Sequence, residues 1–214
     1  KSGSADALET AGINLMLTPE QVGRCVREVG VGFMFAPGHH GAMKHAIGPR
    51  KEMAARTVFN VLGPLTNPAG VPNLLLGVFS DELLETMAEV LQNLGAEHVL
   101  VVHSRDGLDE ISIGDVTDVA ELKDGRITRY AIGPHDFGLQ RASIAQIRAA
   151  GPEQSVSIIR DVLGGKPGPA RDIVALNAGA AIYAAGIADT LAAGVDKAQQ
   201  VLDSGAALAR LDRL

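Results

Sequence analysis

The spacing of hydrophobic positions predicts helices in the first third of the chain. Ser4 is predicted to be the N-cap of a short helix that runs through residue 10, and the capping box that begins at Thr18 predicts a second helix to about residue 29. The apolar run 31–36 predicts a short buried strand. Between residues 38 and 65, apolar positions recur at helical spacing and are broken by proline and glycine, which predicts two or three helices.

Beyond residue 70, the pattern changes to alternating strands and helices. Residues 74–79 and 98–103 are unbroken apolar runs typical of buried strands, and the amphipathic segment 81–94 between them predicts a helix. Residues 116–132 resemble a hairpin around an Asp-Gly turn. From residue 154 onward the chain is predicted to be helical. The fold class that follows is α/β with a helical insert.

Composition narrows the function classes. Apolar residues make up 46% and charged residues 21% of the 214, which excludes disorder, collagen and coiled coil and predicts a packed, soluble protein. A net charge of -6 and an aromatic content of 3% argue against a nucleic-acid partner. The single cysteine, Cys25, excludes an internal disulfide framework. With no apolar run of about 18 residues, we expect no membrane contact and a cytoplasmic location.

Two short segments carry candidate binding chemistry. Residues 2–4, Ser-Gly-Ser, open a helix where free N–H groups can hold a phosphate, although such starts are more often simple caps. The segment 105–110 follows a predicted strand and holds three carboxylates, which could bind Mg²⁺ together with a substrate phosphate. On the residues alone, a solvated turn is the more common structure for such a cluster.

The stretch 39–56 combines histidines with basic residues. His40 and His45 do not share a helix face and no carboxylate lies at metal spacing, so zinc is not expected. The basic residues could bind an anionic substrate, arginine best of all because its planar fork grips a carboxylate through two bonds. A solvated helix face is the alternative. The residues alone therefore lead no further than a candidate cytosolic α/β enzyme that handles a phosphorylated ligand with Mg²⁺.

Four segments together resemble the anthranilate phosphoribosyltransferases of tryptophan biosynthesis. They are residues 1–9, 43–52, 56–68 and 106–110, and they occur in order over essentially the whole chain. The most specific are Phe-Asn-Val-Leu-Gly-Pro-Leu-Thr-Asn-Pro, within 56–68, and Asp-Gly-Leu-Asp-Glu, at 106–110. The resemblance implies transfer of the phosphoribosyl group from phosphoribosyl pyrophosphate to the amine of anthranilate, with Mg²⁺ and without an assigned acid or base.

The resemblance also implies roles for particular residues. Ser4 corresponds to a contact with phosphoribosyl pyrophosphate, Arg50 to the arginine that binds anthranilate, and Asp109 and Glu110 to paired magnesium ligands. Four further residues are implied to line the path by which anthranilate enters: Ala36, Pro37, His40 and Met43. Two positions depart from the family pattern, because Gly41 stands where proline is frequent and Ala54 where glycine is usual.

The implied fold is that of the nucleoside phosphorylase and phosphoribosyltransferase group. Residues 1–37 and 67–214 are expected to form a large α/β domain with a largely parallel central sheet, and residues 38–66 to give helices to a smaller α domain. The full enzyme is expected to be a homodimer. Family segments that bind pyrophosphate would precede Lys1, so we expect residues 1–214 to be a fragment that is inactive alone. The alternatives are a pyrimidine nucleoside phosphorylase of the same fold and a nucleic-acid-binding paralogue without enzymatic activity.

Overall fold

A computed structural model of the protein describes residues 3–39 and 59–214. The predicted substrate-binding residues His40, Met43 and Arg50 lie outside the described residues. So do Gly41 and Ala54, the two positions that depart from the family pattern. The helices are α1 (Ser4–Thr10), α2 (Pro19–Glu28), α3 (Ala36–His39), α4 (Phe59–Leu65), α5 (Leu84–Asn93), α6 (Pro152–Leu163), α7 (Pro169–Ala184), α8 (Leu191–Asp203) and α9 (Ala206–Leu211). The strands are β1 (Asn73–Gly77), β2 (His98–Ser104), β3 (Thr117–Lys123) and β4 (Arg126–Ile132). Short 3₁₀ turns lie at Asp81–Leu83, Pro134–Phe137 and Ile144–Ile147.

The strands form one mixed sheet in the order β1-β2-β3-β4. β1 and β2 are parallel, whereas β2 pairs antiparallel with β3, and β3 antiparallel with β4. The α/β class is confirmed, but the described part of the sheet is not largely parallel as expected. A parallel pair needs a crossover, which α5 supplies between β1 and β2. The link from β2 to β3 contains no helix, and a two-residue turn joins β3 to β4, so both pairs are antiparallel.

Both faces of the central strand β2 are covered, as its unbroken apolar run predicts. Val99 and Val101 of β2 pack with Leu84 and Met87 on the α5 side. Leu100 and Val102 point to the opposite face and pack with residues of α7 and α8. Both faces of β2 are therefore buried, and the loop that follows β2 begins from a well-packed strand.

Two expectations for the N-terminal part need correction. Residues 31–35 form no strand, because no strand in the described part of the chain pairs with them, and Ala36 belongs to helix α3. The N-cap of α1 is Gly3 rather than Ser4, and the Asp6 carboxylate accepts a hydrogen bond from the Gly3 N–H at 2.8 Å. Ser4 is thus the first residue of the helix. The Thr18 capping box at the start of α2 is confirmed.

Helix α4 falls within the segment predicted to belong to a smaller α domain. Its Val61 and Leu65 pack at the border of the cluster formed by α5 and the sheet. The division into two domains stays a prediction. Within the described ranges, no helix is both long enough and apolar enough to cross a membrane.

Candidate functional site

The candidate site lies at the carboxyl edge of the parallel strands. Beyond β1, the Val78 N–H donates to the Val102 carbonyl at 2.9 Å, and a ring nitrogen of His103 lies 2.8 Å from the Val78 carbonyl. These bonds hold the ends of β1 and β2 side by side. Open α/β sheets bind ligands at this edge, where loops leave the strands.

The chain turns sharply after β2. The Gly107 N–H donates to the Ser104 carbonyl at 2.9 Å, and the Ser104 N–H donates to the Leu108 carbonyl at 2.9 Å. Gly107 has a φ of 90°, a left-handed conformation that favours glycine. The turn brings Asp109 and Glu110 directly over the end of the sheet.

Three of the five acidic side chains between residues 105 and 118 are occupied by other protein groups. Asp118 receives two bonds from Arg105, at 2.9 and 2.8 Å, and these hold the pKa of its carboxyl below the usual value. Asp106 accepts from the Ser112 hydroxyl at 2.5 Å, and Asp115 accepts from Arg141 at 3.2 Å. The structure thus separates acids that stabilise the loop from acids that remain available.

Asp109 and Glu110 are the available acids. Both are exposed, and neither forms a hydrogen bond or ion pair with another described residue. The Glu110 carboxyl is nevertheless crowded by protein on one side, and this desolvation, followed by the charge of Asp109, raises the pKa of Glu110. Two adjacent carboxylates that repel each other are stabilised by a cation.

The main chain beneath these carboxylates is fixed by two residues that the sequence did not indicate. The Asp109 carbonyl lies so close to Gly77 that a Cβ at that position would overlap it. Asn177 of α7 exchanges two hydrogen bonds with the main chain of Ile111. A glycine that ends an apolar strand is a usable sign of close backbone approach. An asparagine inside an apolar helix is a weaker sign that its side chain has a partner elsewhere.

Two clefts share Pro64 of α4, and the first of them opens beside the acidic loop. The first, about 310 Å³, is bordered by Asp109 and has apolar walls that include Leu83 and Met87. The second, about 200 Å³, is bordered by Ala36 and His39. Helix α4 therefore lies between the cleft at Asp109 and the cleft at Ala36. The resemblance placed Ala36 on the path of the aromatic substrate.

His39, which borders the second cleft, has an unexpected unpaired polar atom. One ring nitrogen lies 3.1 Å from the Phe35 carbonyl, while the other, Nε2, is buried without a partner among the described residues. Pro37 is part of the same short helix α3. His39 thus has one buried ring nitrogen without a hydrogen-bond partner among the described residues.

Ser4 is not joined to the acidic loop by any bond in the ranges that the structure covers. It is exposed in the first turn of α1, which packs against α6. The structure thus brings Ala36 and Asp109 to neighbouring clefts and leaves Ser4 on a separate element.

The donor set at the acidic loop fits Mg²⁺. No group of three or more His, Cys, Asp or Glu side chains with metal-binding geometry occurs in the described residues. Two carboxylates are sufficient for Mg²⁺, which keeps several waters and takes substrate phosphate oxygens for the rest of its shell. They are insufficient for a structural zinc site, which needs four protein ligands.

Comparison with known protein families gives one match that spans nearly the whole chain. The model described as "Glycosyl transferase family, a/b domain" matches residues 1–208. The chain is 61% identical over 214 residues to an anthranilate phosphoribosyltransferase of Thioalkalivibrio sulfidiphilus and 58% identical to one of Methylococcus capsulatus. Each match covers 100% of this chain and 63% of the relative, so the chain spans less than two thirds of these relatives.

Solved structures of anthranilate phosphoribosyltransferases also resemble this chain. The anthranilate phosphoribosyltransferase of Thermus thermophilus superposes with a TM-score of 0.92 at 47% identity, covering 100% of this chain and 63% of that one. The Saccharomyces cerevisiae protein, in complex with phosphoribosyl pyrophosphate and magnesium, gives 0.88 at 29% identity, covering 98% and 61%. A second structure of the yeast protein contains 4-fluoroanthranilate.

Proposed function

The chain belongs to the glycosyl transferase family whose a/b domain matches residues 1–208, and on this basis we propose that it is part of an anthranilate phosphoribosyltransferase. The reaction moves the phosphoribosyl group of phosphoribosyl pyrophosphate to the amine of anthranilate and releases pyrophosphate. One structural observation carries the proposal. Asp109 and Glu110 are the two carboxylates of their loop without a partner among the described residues, and Asp109 borders the first cleft, which shares Pro64 with the second.

Asp109 and Glu110 are proposed to hold Mg²⁺. Their oxygen donors and their mutual repulsion support this role, and so does the magnesium found with phosphoribosyl pyrophosphate in the yeast relative. When bound there, Mg²⁺ neutralises negative charge on the leaving pyrophosphate. Ser4 is proposed to donate its hydroxyl to the same substrate, which its exposed place in the first turn of α1 permits.

The cleft beside Ala36 is proposed to take the aromatic ring of anthranilate. Its volume of about 200 Å³ and its apolar border residues, Leu74 and Leu76 among them, suit a single aromatic ring. The resemblance adds Pro37, His40 and Met43 to this path. It also assigns Arg50 to the substrate carboxylate, for which the planar guanidinium provides two parallel hydrogen bonds.

The proposed chemistry needs positioning more than proton transfer. The aryl amine is unprotonated near pH 7, so its lone pair can attack the anomeric carbon while the bond to pyrophosphate breaks. The amine then loses its proton to solvent. The residues of the site accelerate this step by holding the two substrates in line and by stabilising the charge that develops.

The wider context rests on the same resemblance. We propose that residues 1–37 and 67–214 form the large domain and residues 38–66 part of the small one, in a cytoplasmic homodimer. The net charge of -6 supports small-molecule substrates over nucleic acid.

The double variant Asp109→Asn with Glu110→Gln tests the assignment of the metal ligands. It is made in the protein encoded by the full reading frame, and anthranilate-dependent pyrophosphate release is measured across a range of Mg²⁺ concentrations. We expect turnover to fall at least about 100-fold, as when a preorganised stabiliser of developing charge is lost. Asp115→Asn is the matched control, since this acid lies in the same loop but pairs with Arg141. Unchanged activity of the double variant at limiting Mg²⁺ rules the assignment out.

Arg50→Lys tests the binding of anthranilate. The substitution keeps the charge and removes the fork, so the KM for anthranilate should rise while binding of phosphoribosyl pyrophosphate changes little. If both substrates are weakened equally, Arg50 supports the fold or the phosphate site instead.

A further inference from the structure

One side chain outside the predicted site holds the main chain directly beside the two available carboxylates. Asn177 Oδ1 accepts from the Ile111 N–H at 3.0 Å, and Asn177 Nδ2 donates to the Ile111 carbonyl at 2.9 Å. The amide thus pairs with both polar main-chain groups of one residue, as a neighbouring strand would. Ile111 immediately follows Glu110 and is buried. The contact therefore anchors the end of the acidic loop.

The Asn177 amide is itself fixed to its helix. Nδ2 also donates to the Ile173 carbonyl at 2.9 Å, one turn earlier in α7. An asparagine amide has two N–H donors, and both are used here. Asn177 consequently has no donor left for a substrate, and its contact with the site runs through the main chain of the loop.

A second contact holds the loop from the opposite side. The Asp109 carbonyl rests on Gly77, at a distance that leaves no room for a Cβ. Residues 109–111 are thus held between β1 and α7. Adjacent carboxylates repel each other, and in a loose loop they would separate. A main chain fixed on both sides keeps the two carboxylates on one edge before any cation arrives.

We propose that Asn177 is a positioning residue for the carboxylates of Asp109 and Glu110. The proposal rests on the proposed function, because it takes these carboxylates as the metal ligands. Partners that orient metal ligands without contacting the ion commonly change metal affinity by 10-fold or more when they are removed. Asn177 acts in this way through the main chain.

The test uses two variants of the protein encoded by the full reading frame. Asn177→Ala removes the amide, and Asn177→Leu removes it while keeping a similar side-chain shape, so agreement between them separates the hydrogen bonds from packing. Tyr130→Phe is the matched control, since it also removes one half-buried hydrogen bond, to Glu121 at 2.9 Å on the hairpin. Binding of Mn²⁺ with inorganic pyrophosphate is measured by titration, and amide hydrogen exchange reports the order of residues 106–112.

We expect both Asn177 variants to bind Mn²⁺ about 10-fold more weakly than the unsubstituted protein. The Ile111 amide should exchange faster in both, while β2 amides keep their protection. In Tyr130→Phe, Mn²⁺ binding and exchange of the loop should stay unchanged even where thermal stability falls. The proposal is overturned if either Asn177 variant folds and binds Mn²⁺ as tightly as the unsubstituted protein does. It is also overturned if neither the variant nor the unsubstituted protein binds Mn²⁺.

The outcome separates this proposal from the proposed function. Suppose that the Asn177 variants bind Mn²⁺ more weakly, but the unsubstituted protein shows no anthranilate-dependent pyrophosphate release. The positioning role is then kept and the proposed function is refuted. If the protein transfers the phosphoribosyl group but its Mn²⁺ binding does not change in the Asn177 variants, the proposed function is kept and the positioning role is refuted.

Discussion

Helices α7 and α8 touch through their backbones, so a single methyl group at their contact should be strongly destabilising. A Cβ added to Gly179 would lie 2.5 Å from the Val195 Cα and 2.6 Å from its main-chain nitrogen. Carbon atoms in ordinary contact are about 3.5–4.0 Å apart, so the helices must separate by about 1 Å. Gly194 faces the same contact from α8, where a Cβ would overlap the Gly179 carbonyl. Relief by a side-chain rotation is impossible, because the obstacle is backbone.

The expected cost of Gly179→Ala follows from two opposing effects. Overpacking of a tight core costs about 1–3 kcal/mol, and a backbone obstacle favours the upper end. Alanine regains about 1 kcal/mol of helix propensity over glycine. We therefore expect the free energy of unfolding to fall by about 2 kcal/mol. Chemical denaturation followed by circular dichroism measures this difference.

Gly23→Ala is the matched control for Gly179→Ala. Gly23 lies inside helix α2, where an added Cβ would meet only the end of the flexible Arg27 side chain, at 3.3 Å. Here the helix propensity should dominate and stabilise the protein by up to about 1 kcal/mol. The two substitutions should thus have opposite signs. A Gly179→Ala protein as stable as the unsubstituted one would refute the backbone contact.

Three further predictions concern the acidic loop and the first capping box. Gly77→Ala should displace the Asp109 carbonyl and lower kcat about 100-fold, an effect refuted by normal turnover in steady-state assays. Asp118→Asn should cost about 1 kcal/mol at pH 7. Because Arg105 lowers the pKa of Asp118, the difference from the unsubstituted protein in urea titrations should shrink as the pH falls below 3.8, vanish below the lowered pKa of the folded state, and persist as the pH rises. Thr18→Ala should cost about 0.5 kcal/mol through the lost cap, and an unchanged unfolding curve would contradict it.

The sequence determined those elements whose signals are local. The Asp124-Gly125 pair predicts a hairpin, and both residues have positive φ in the turn, 51° and 73°. The Thr18 capping box predicts the start of α2, and the unbroken apolar run of β2 predicts burial on both faces. Each signal depends on the intrinsic preferences of a few neighbouring residues, so it can be recognised without knowing the fold.

Local signals failed where the outcome depends on a pairing or connection that the segment's own pattern does not show. Residues 31–35 have the apolar pattern of a strand but form none, since a strand exists only with a paired neighbour. The sheet is mixed because the link between β2 and β3 lacks a crossover helix. Ser4 is not the N-cap, because the Asp6 carboxylate bonds to the N–H of Gly3. In each case the surroundings of the segment, rather than its own pattern, determined the structure.

The candidate site shows the same division. The sequence identified an acidic loop at a strand end and, through a family resemblance, selected Asp109 and Glu110 within it. Only the tertiary structure shows that Arg105 occupies Asp118, 13 residues away, and that Asn177, 66 residues from Ile111, anchors the loop. Such pairings arise when folding brings distant segments together, and no periodicity along the chain encodes them. The residue types of the site are thus written in the sequence, whereas the availability and placement of its carboxylates are properties of the fold.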